Sequence, residues 1–136
     1  MISASRELQS AIYDILINDS VVLNVLGGPR IYDFVPRKVQ YPYVAFGDIS
    51  VRDWSTGDGD GEEHSITFHI WSRAAGRIEI YDIASALRSA LHDRNFAMRG
   101  HRLVNFRHNY SETRRESDSE HFHGVVRFLA VTEPLS

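Results

Sequence analysis

The most informative segment of this chain is His64-Ser65-Ile66-Thr67-Phe68-His69-Ile70-Trp71, in which apolar and other side chains alternate. The isoleucines and the phenylalanine fall on one face of an extended chain, which is typical of a half-buried strand. Tyr43–Trp54, upstream, is rich in β-branched and aromatic residues and predicts a second strand, with a bulge near Gly47 where the alternation breaks. We expect an antiparallel hairpin whose mobile tip is the acidic loop 55–63.

Helices are predicted on both sides of this hairpin. The first is capped by Ser3 or Ser5 and ends near Asn18, because apolar residues recur between them at helical spacing. Asp19 is placed to cap a short helical turn that follows. A second long helix is expected from about Arg77 to His92, again with one apolar stripe.

The remaining segments complete a sheet. Arg30–Val35 predicts a short strand and Leu103–Tyr110 a longer one, followed by a polar arm, Ser111–Glu120. The last strand, His121–Thr132, is apolar on both faces, so we expect helices to cover one face and a neighbouring subunit the other. The fold class is therefore α+β, with a mainly antiparallel sheet of four to five strands, two main helices packed on one face, and one domain spanning residues 1–136.

Composition excludes several classes of function. The 136 residues are 43% hydrophobic and 24% charged, and 15 Lys and Arg against 18 Asp and Glu give a net charge of −3, which argues against a dedicated nucleic-acid binder. The chain has no Cys, which excludes thiolate metal sites, iron–sulfur clusters and Cys nucleophiles. No apolar run approaches the roughly 18 residues of a membrane span. We predict no membrane partner and no cofactor.

Catalytic motifs are also missing from the sequence. It contains no Gly-x-Ser-x-Gly elbow, no phosphate loop ending in Gly-Lys-Ser/Thr and no His-Glu-x-x-His. Nothing in the spacing of the acidic residues selects a catalytic carboxylate pair. The sequence therefore predicts a protein that is not an enzyme.

The acidic loop has two interpretations. Asp58, Asp60 and Glu62 match ligand positions 1, 3 and 5 of a calcium loop, but Glu63 and His69 stand where Gly and a bidentate Glu are required. The loop also joins predicted strands instead of helices. The alternatives are a small metal site and a flexible acidic hairpin tip.

A histidine cluster is the second candidate metal site. His121 and His123 are predicted on one strand face, with His108 across from them on the partner strand. Three imidazoles on one face would suit Zn²⁺ or Ni²⁺. The alternative is that all three are half-exposed sheet residues with no ligand.

Aromatic and charged residues near the ends of elements are candidate subunit or docking contacts, because this composition is favoured at protein–protein interfaces. The alternative for the two tryptophans is that they close the ends of the core. The candidate contacts are Trp54, Asp58, Asp60, Glu62, Glu63, Trp71, Tyr110, Arg114, Arg115, Glu116 and Phe122.

An ordered series of short segments spanning the chain resembles the small tail-completion, or tail-terminator, proteins of long-tailed phages and of the related gene transfer agents. The segments are the amphipathic Leu8–Leu26, Arg30-Ile31-Tyr32-Asp33-Phe34-Val35-Pro36, Pro42-Tyr43-Val44, Asp53-Trp54-Ser55-Thr56, Gly61-Glu62-Glu63-His64, Ile70-Trp71-Ser72-Arg73, Gly100-His101-Arg102-Leu103-Val104 and Gly124-Val125-Val126-Arg127-Phe128.

This resemblance implies a structural role. Members of the family form a hexameric ring that caps the tail tube on its head side, stops tube growth and docks onto the head-side connector. Double-stranded DNA passes through the centre without specific binding. The resemblance therefore implies a homo-oligomer in the virion at the head–tail junction, assembled in the cytoplasm of the bacterial host, with no catalytic residues.

Overall fold

The computed structural model describes residues 2–118 and 120–135, and within them the chain forms three helices and one five-stranded sheet. The strand order is β1-β2-β3-β5-β4, with β1 parallel to β2 and every other neighbouring pair antiparallel. This confirms the predicted α+β class. In chain order the elements are α1 (Ala4–Ile17), α2 (Ser20–Leu26), β1 (Ile31–Tyr32), β2 (Tyr43–Asp53), β3 (Glu62–Ser72), α3 (Ile78–Leu91), β4 (His101–Arg115) and β5 (Phe122–Pro134).

The helices begin and end where local chemistry places them. The hydroxyl of Ser3, and not that of Ser5, caps α1 by accepting from the backbone N–H of Arg6 at 3.2 Å. Asp19 caps α2, its carboxylate accepting from two backbone N–H groups at 3.0 Å each. Gly27 ends α2 in the left-handed conformation (φ 80°), which costs glycine little.

One hydrophobic core lies between the helices and one face of the sheet, which we call the core face. On β3 the core face carries Ile66, Phe68 and Ile70, each at most 2% exposed. They join the buried residues of α1 and α3 in one cluster. The rings of Phe68 and Phe128 meet edge to face with centroids 5.9 Å apart, tying β3 to β5.

The opposite side of the sheet, the outer face, carries the alternating residues of the same strands. Val125 and Val131 of β5 point to this face yet are only 7% and 8% exposed. The predicted bulge in β2 is present, as the register with β3 shifts between Phe46 and Ile49. A neighbouring subunit over the outer face remains a prediction.

The predicted polar arm 111–120 is wrong over its first half. Residues 111–115 belong to β4 and pair with β5. The connection between β4 and β5 is therefore a short turn after Arg115. Ser119, in this connection, lies outside the described residues. Two bulges in β4, beside Leu103 and His108, shift the alternation that would have identified a longer strand.

The other boundaries differ by less. The strand β3 begins at Glu62, so the acidic loop predicted as 55–63 is two residues too long, and β5 begins at Phe122 rather than His121. Strand pairing continues past the polar residues because backbone hydrogen bonds need no apolar side chain. No helix among residues 2–118 and 120–135 is long and apolar enough to cross a membrane.

Candidate assembly surfaces

The acidic tip, residues 54–61 between β2 and β3, is held by its own hydrogen bonds. Thr56 and Gly59 exchange backbone hydrogen bonds at 2.9 and 3.3 Å, closing a narrow turn. The Asp53 carboxylate accepts from the Ser55 hydroxyl at 2.5 Å and from its N–H at 3.1 Å, which lowers the pKa of Asp53. The tip is thus an ordered turn that presents exposed carboxylates.

The acidic candidates divide into exposed and buried groups. Asp58 and Asp60 are exposed on the tip, and Glu62 is exposed at the start of β3. Glu63 is only 6% exposed and accepts from the Arg52 guanidinium at 2.7 Å. Glu63 therefore stabilises the hairpin through Arg52, while the other three carboxylates are available to a partner.

Neither tryptophan closes the core. Trp54 is 47% exposed beside the acidic tip, with the Arg52 guanidinium 5.4 Å from its ring centroid. Trp71 is half-buried on the outer face, where its indole stacks on the ring of His123 with centroids 4.1 Å apart. Both aromatic surfaces thus lie away from the core cluster.

The predicted histidine cluster is wrong. His108 pairs in register with Phe128 of β5, five positions from His123, or about 17 Å along a strand. His108 also lies on the core face, with its ring against Phe128, whereas His123 lies on the outer face. His121 precedes β5 and bonds Asp118 at 2.6 Å instead.

The calcium interpretation of the acidic loop also fails, because Glu62 lies in β3 while Asp58 and Asp60 lie on the turn. Over the part of the chain that the structure describes, no group of three or more His, Asp or Glu residues is arranged to hold a metal ion.

A linked histidine pair lies on the outer face instead. Nδ1 of His123 donates to Glu116 at 2.9 Å, and its Nε2 lies 2.6 Å from Nδ1 of His69. Burial lowers the pKa of both histidines, and the nearby Arg114 lowers them further. Both rings are therefore neutral at pH 7, which allows one to donate a hydrogen bond to the other; the rings lie edge to edge with centroids 4.8 Å apart.

Tyr110 and Arg114 belong to the outer face of the edge strand β4. Tyr110 is 41% exposed, and its hydroxyl donates to Glu112 at 2.6 Å, which raises the pKa of the phenol. The Arg114 guanidinium lies 3.6 Å from Glu116 and 3.7 Å from Glu112. These side chains form a polar, exposed surface suited to contact with another protein.

A basic cleft lies at the opposite end of the sheet from the acidic tip. It has a volume of about 750 Å³, and its lining includes Arg73, Arg77, Arg115, Phe122 and Glu120. Sequence reasoning missed Arg73 and Arg77. The only signal was two arginines flanking a loop that ends in Gly76, and the third arginine joins them only through the pairing of β4 with β5.

Comparisons with known proteins find similarity between this chain and tail completion proteins. The family model described as "Tail completion protein gp17" matches residues 10–133. The tail completion protein gp17 of Bacillus phage SPP1 is 26% identical over 124 residues, 91% of this chain and 90% of that protein.

Two solved structures share the fold. A chain from the virion of a native gene transfer agent particle superposes with a TM-score of 0.88 at 27% identity, covering 98% of this chain and 99% of that one. The structure of the bacteriophage SPP1 gp17 protein superposes with a TM-score of 0.62 at 24% identity, covering 98% and 91%.

Proposed function

Since the chain belongs to the tail completion protein gp17 family, we propose that it is a structural component of a phage or gene-transfer-agent particle that ends the tail tube and joins it to the head-side connector. The observation that carries this proposal is similarity along almost the whole chain to a chain of a gene transfer agent virion, at a TM-score of 0.88.

The proposed assembly is a homo-hexameric ring around the DNA path. A closed ring needs a heterologous interface, in which one patch meets a different patch on the neighbour. This chain supports such an arrangement because an acidic tip and a basic cleft lie at opposite ends of β3. The outer face offers further contact area through Trp71, Tyr110 and the polar residues beside them.

The proposed role is non-catalytic, with DNA passing through the ring without specific binding. The net charge of −3 supports weak affinity for phosphate, because binding to the DNA backbone depends on an excess of Lys and Arg. Carboxylates facing a channel would repel the phosphates and keep the passage open.

The test is to assemble particles without this chain and to image them by electron microscopy. We expect filled heads and separate tails, with tail tubes of irregular length, and restoration of joined particles when the wild-type chain is supplied in trans. Joined particles with tails of normal length in the absence of the chain would contradict the proposal. Assembly in the bacterial cytoplasm is tested in the same cells by locating the joined particles before lysis.

A further inference from the structure

We propose that the acidic tip of one copy docks into the basic cleft of the next copy, so that carboxylate–arginine contacts join neighbouring subunits head to tail around the ring. This inference rests on the proposed function, because it assigns the heterologous interface of that ring. The occupant of the cleft is a second copy of this chain, and the docking segment is the turn that carries Asp58 and Asp60.

The cleft is built to present guanidinium groups. Arg73 lies over the ring of Tyr41 at 4.1 Å, and its Nε donates to His121 at 3.1 Å. Arg77 lies over the ring of Phe122 at 5.2 Å. Stacking on aromatic rings fixes the plane of a guanidinium group while its remaining N–H groups stay available for a carboxylate.

These arginines have no carboxylate partner within the part of the chain that the structure describes. Among the described residues, Arg73, Arg77 and Arg115 form no ion pair, although all three are exposed. Glu120 is the one carboxylate among the residues that line the cleft, so the arginines outnumber it three to one. The cleft therefore has an excess of positive charge and a planar, forked donor geometry that suits paired carboxylates.

The acidic tip supplies the matching groups. Asp58 lies on the turn that Thr56 and Gly59 close, Asp60 directly follows that turn, and both are exposed. Within residues 2–118 and 120–135, neither carboxylate forms an ion pair. The turn closes through Thr56 and Gly59, so little conformational entropy is lost when the tip is held by a partner.

The positions of the two surfaces exclude contact within one copy. The acidic tip follows the end of β2 and precedes β3, whereas Arg73 follows the last residue of β3. That strand has 11 residues, so its ends are about 33 Å apart. Complementary charges at opposite ends of one subunit favour head-to-tail contact between copies, which is the contact that a closed ring repeats.

Cysteine trapping tests this contact directly, because the chain contains no cysteine. Particles are assembled with the double variant Asp60→Cys and Arg77→Cys in place of the wild-type chain and are then oxidised. We expect a ladder of disulfide-linked species up to the closed ring, which collapses to the monomer on reduction.

The matched controls are each single variant and the pair Asp60→Cys with Asp14→Cys, which moves the second thiol to the exposed side of α1. We expect none of these controls to give a ladder beyond the dimer. The inference is overturned if the variant chain is found at the end of the tail but Asp60→Cys and Arg77→Cys do not cross-link. Absence of the wild-type chain from the tail end would contradict the proposed function itself.

Charge reversal gives an independent readout. Sedimentation of the purified protein and imaging of particles should both show loss of rings for Arg73→Glu with Arg77→Glu, and the same loss for Asp58→Lys with Asp60→Lys. The four changes combined in one chain should restore rings, because the charges are then exchanged. The inference is overturned if rings persist in each two-residue variant. It is also overturned if reversal of the two arginines leaves the rings intact and abolishes only the binding of a short DNA duplex, because the cleft then serves another partner.

Discussion

At the scale of single residues, the outer face is organised around the neutral pair His69 and His123. The two rings lie edge to edge with centroids 4.8 Å apart, and the indole of Trp71 stacks on His123. Arg114 approaches these rings from β4, Glu116 from the turn after β4, and Asp48 from β2. A proton added to either ring would be partly buried among these groups, and a proton on Nε2 of His123 would also remove the acceptor of the hydrogen bond from His69.

The first prediction is therefore a loss of stability in mild acid. Burial holds the pKa of both histidines below the usual value of about 6.5, so the unfolded chain takes up protons first. The free energy of unfolding should be constant above that pH and should fall as the pH drops toward the folded-state pKa. Urea unfolding followed at a series of pH values measures this slope.

A pair of variants identifies the groups responsible. His69→Gln with His123→Gln should reduce the slope, leaving the share due to His64 and His108, whose pKa values burial also lowers. The exposed Asn24→Gln, which changes no titratable group, should leave the slope as it is in the wild type. An unchanged slope in the double variant would show that protonation of these two rings does not limit stability.

The chemistry of single residues also explains why the positions of some candidate side chains could be predicted and those of others could not. Trp54, Asp58 and Asp60 were expected beside a turn and lie there, because Gly and Asp cluster at turns. The positions of Arg73 and Arg77 could not be predicted as a site. Their partners Tyr41 and Phe122 are distant in sequence and meet them only in the folded sheet.

At the scale of elements, α3 packs so closely onto the sheet at one position of β5 that the residue there must be glycine. A Cβ added at Gly124 of β5 would lie 2.6 Å from Cγ2 of Ile80 on α3 and 3.3 Å from Cβ of Ile70 on β3. All of these atoms are in the closely packed core, where an extra methyl group forces neighbours apart.

The second prediction follows from this contact. Gly124→Ala should lower the free energy of unfolding by about 1–3 kcal/mol, because α3 must move away from the sheet. Gly76→Ala is the matched control, since no heavy atom lies within 4 Å of its added Cβ. Urea unfolding of both variants measures the difference, and equal stability of the two proteins would contradict this account of the packing.

The elements were predictable to different degrees for a physical reason. The helices and the β2–β3 hairpin follow from apolar residues at period 3.6 or 2, together with capping side chains such as Ser3 and Asp19. The extension of β4 to Arg115 could not be predicted, because the last residues of that edge strand are polar or charged and face solvent on both sides. Only pairing with β5 makes them a strand.

At the scale of the whole molecule, charge is separated along the sheet. Exposed carboxylates lie at the tip between β2 and β3, and three exposed arginines lie around the far end of β3. A subunit with this polarity attracts the opposite end of an identical copy and repels the same end. In the proposed ring, these charges would join neighbouring copies, and the tail tube and the connector would determine where the ring forms.

The most direct test of the proposed function is a cryo-electron-microscopy reconstruction of intact particles in which the copies of this chain are counted and located. The account predicts six copies in a single ring at the head-proximal end of the tail tube. Copies distributed along the tube or in the head shell, or a complete head–tail junction that lacks this chain, would contradict it.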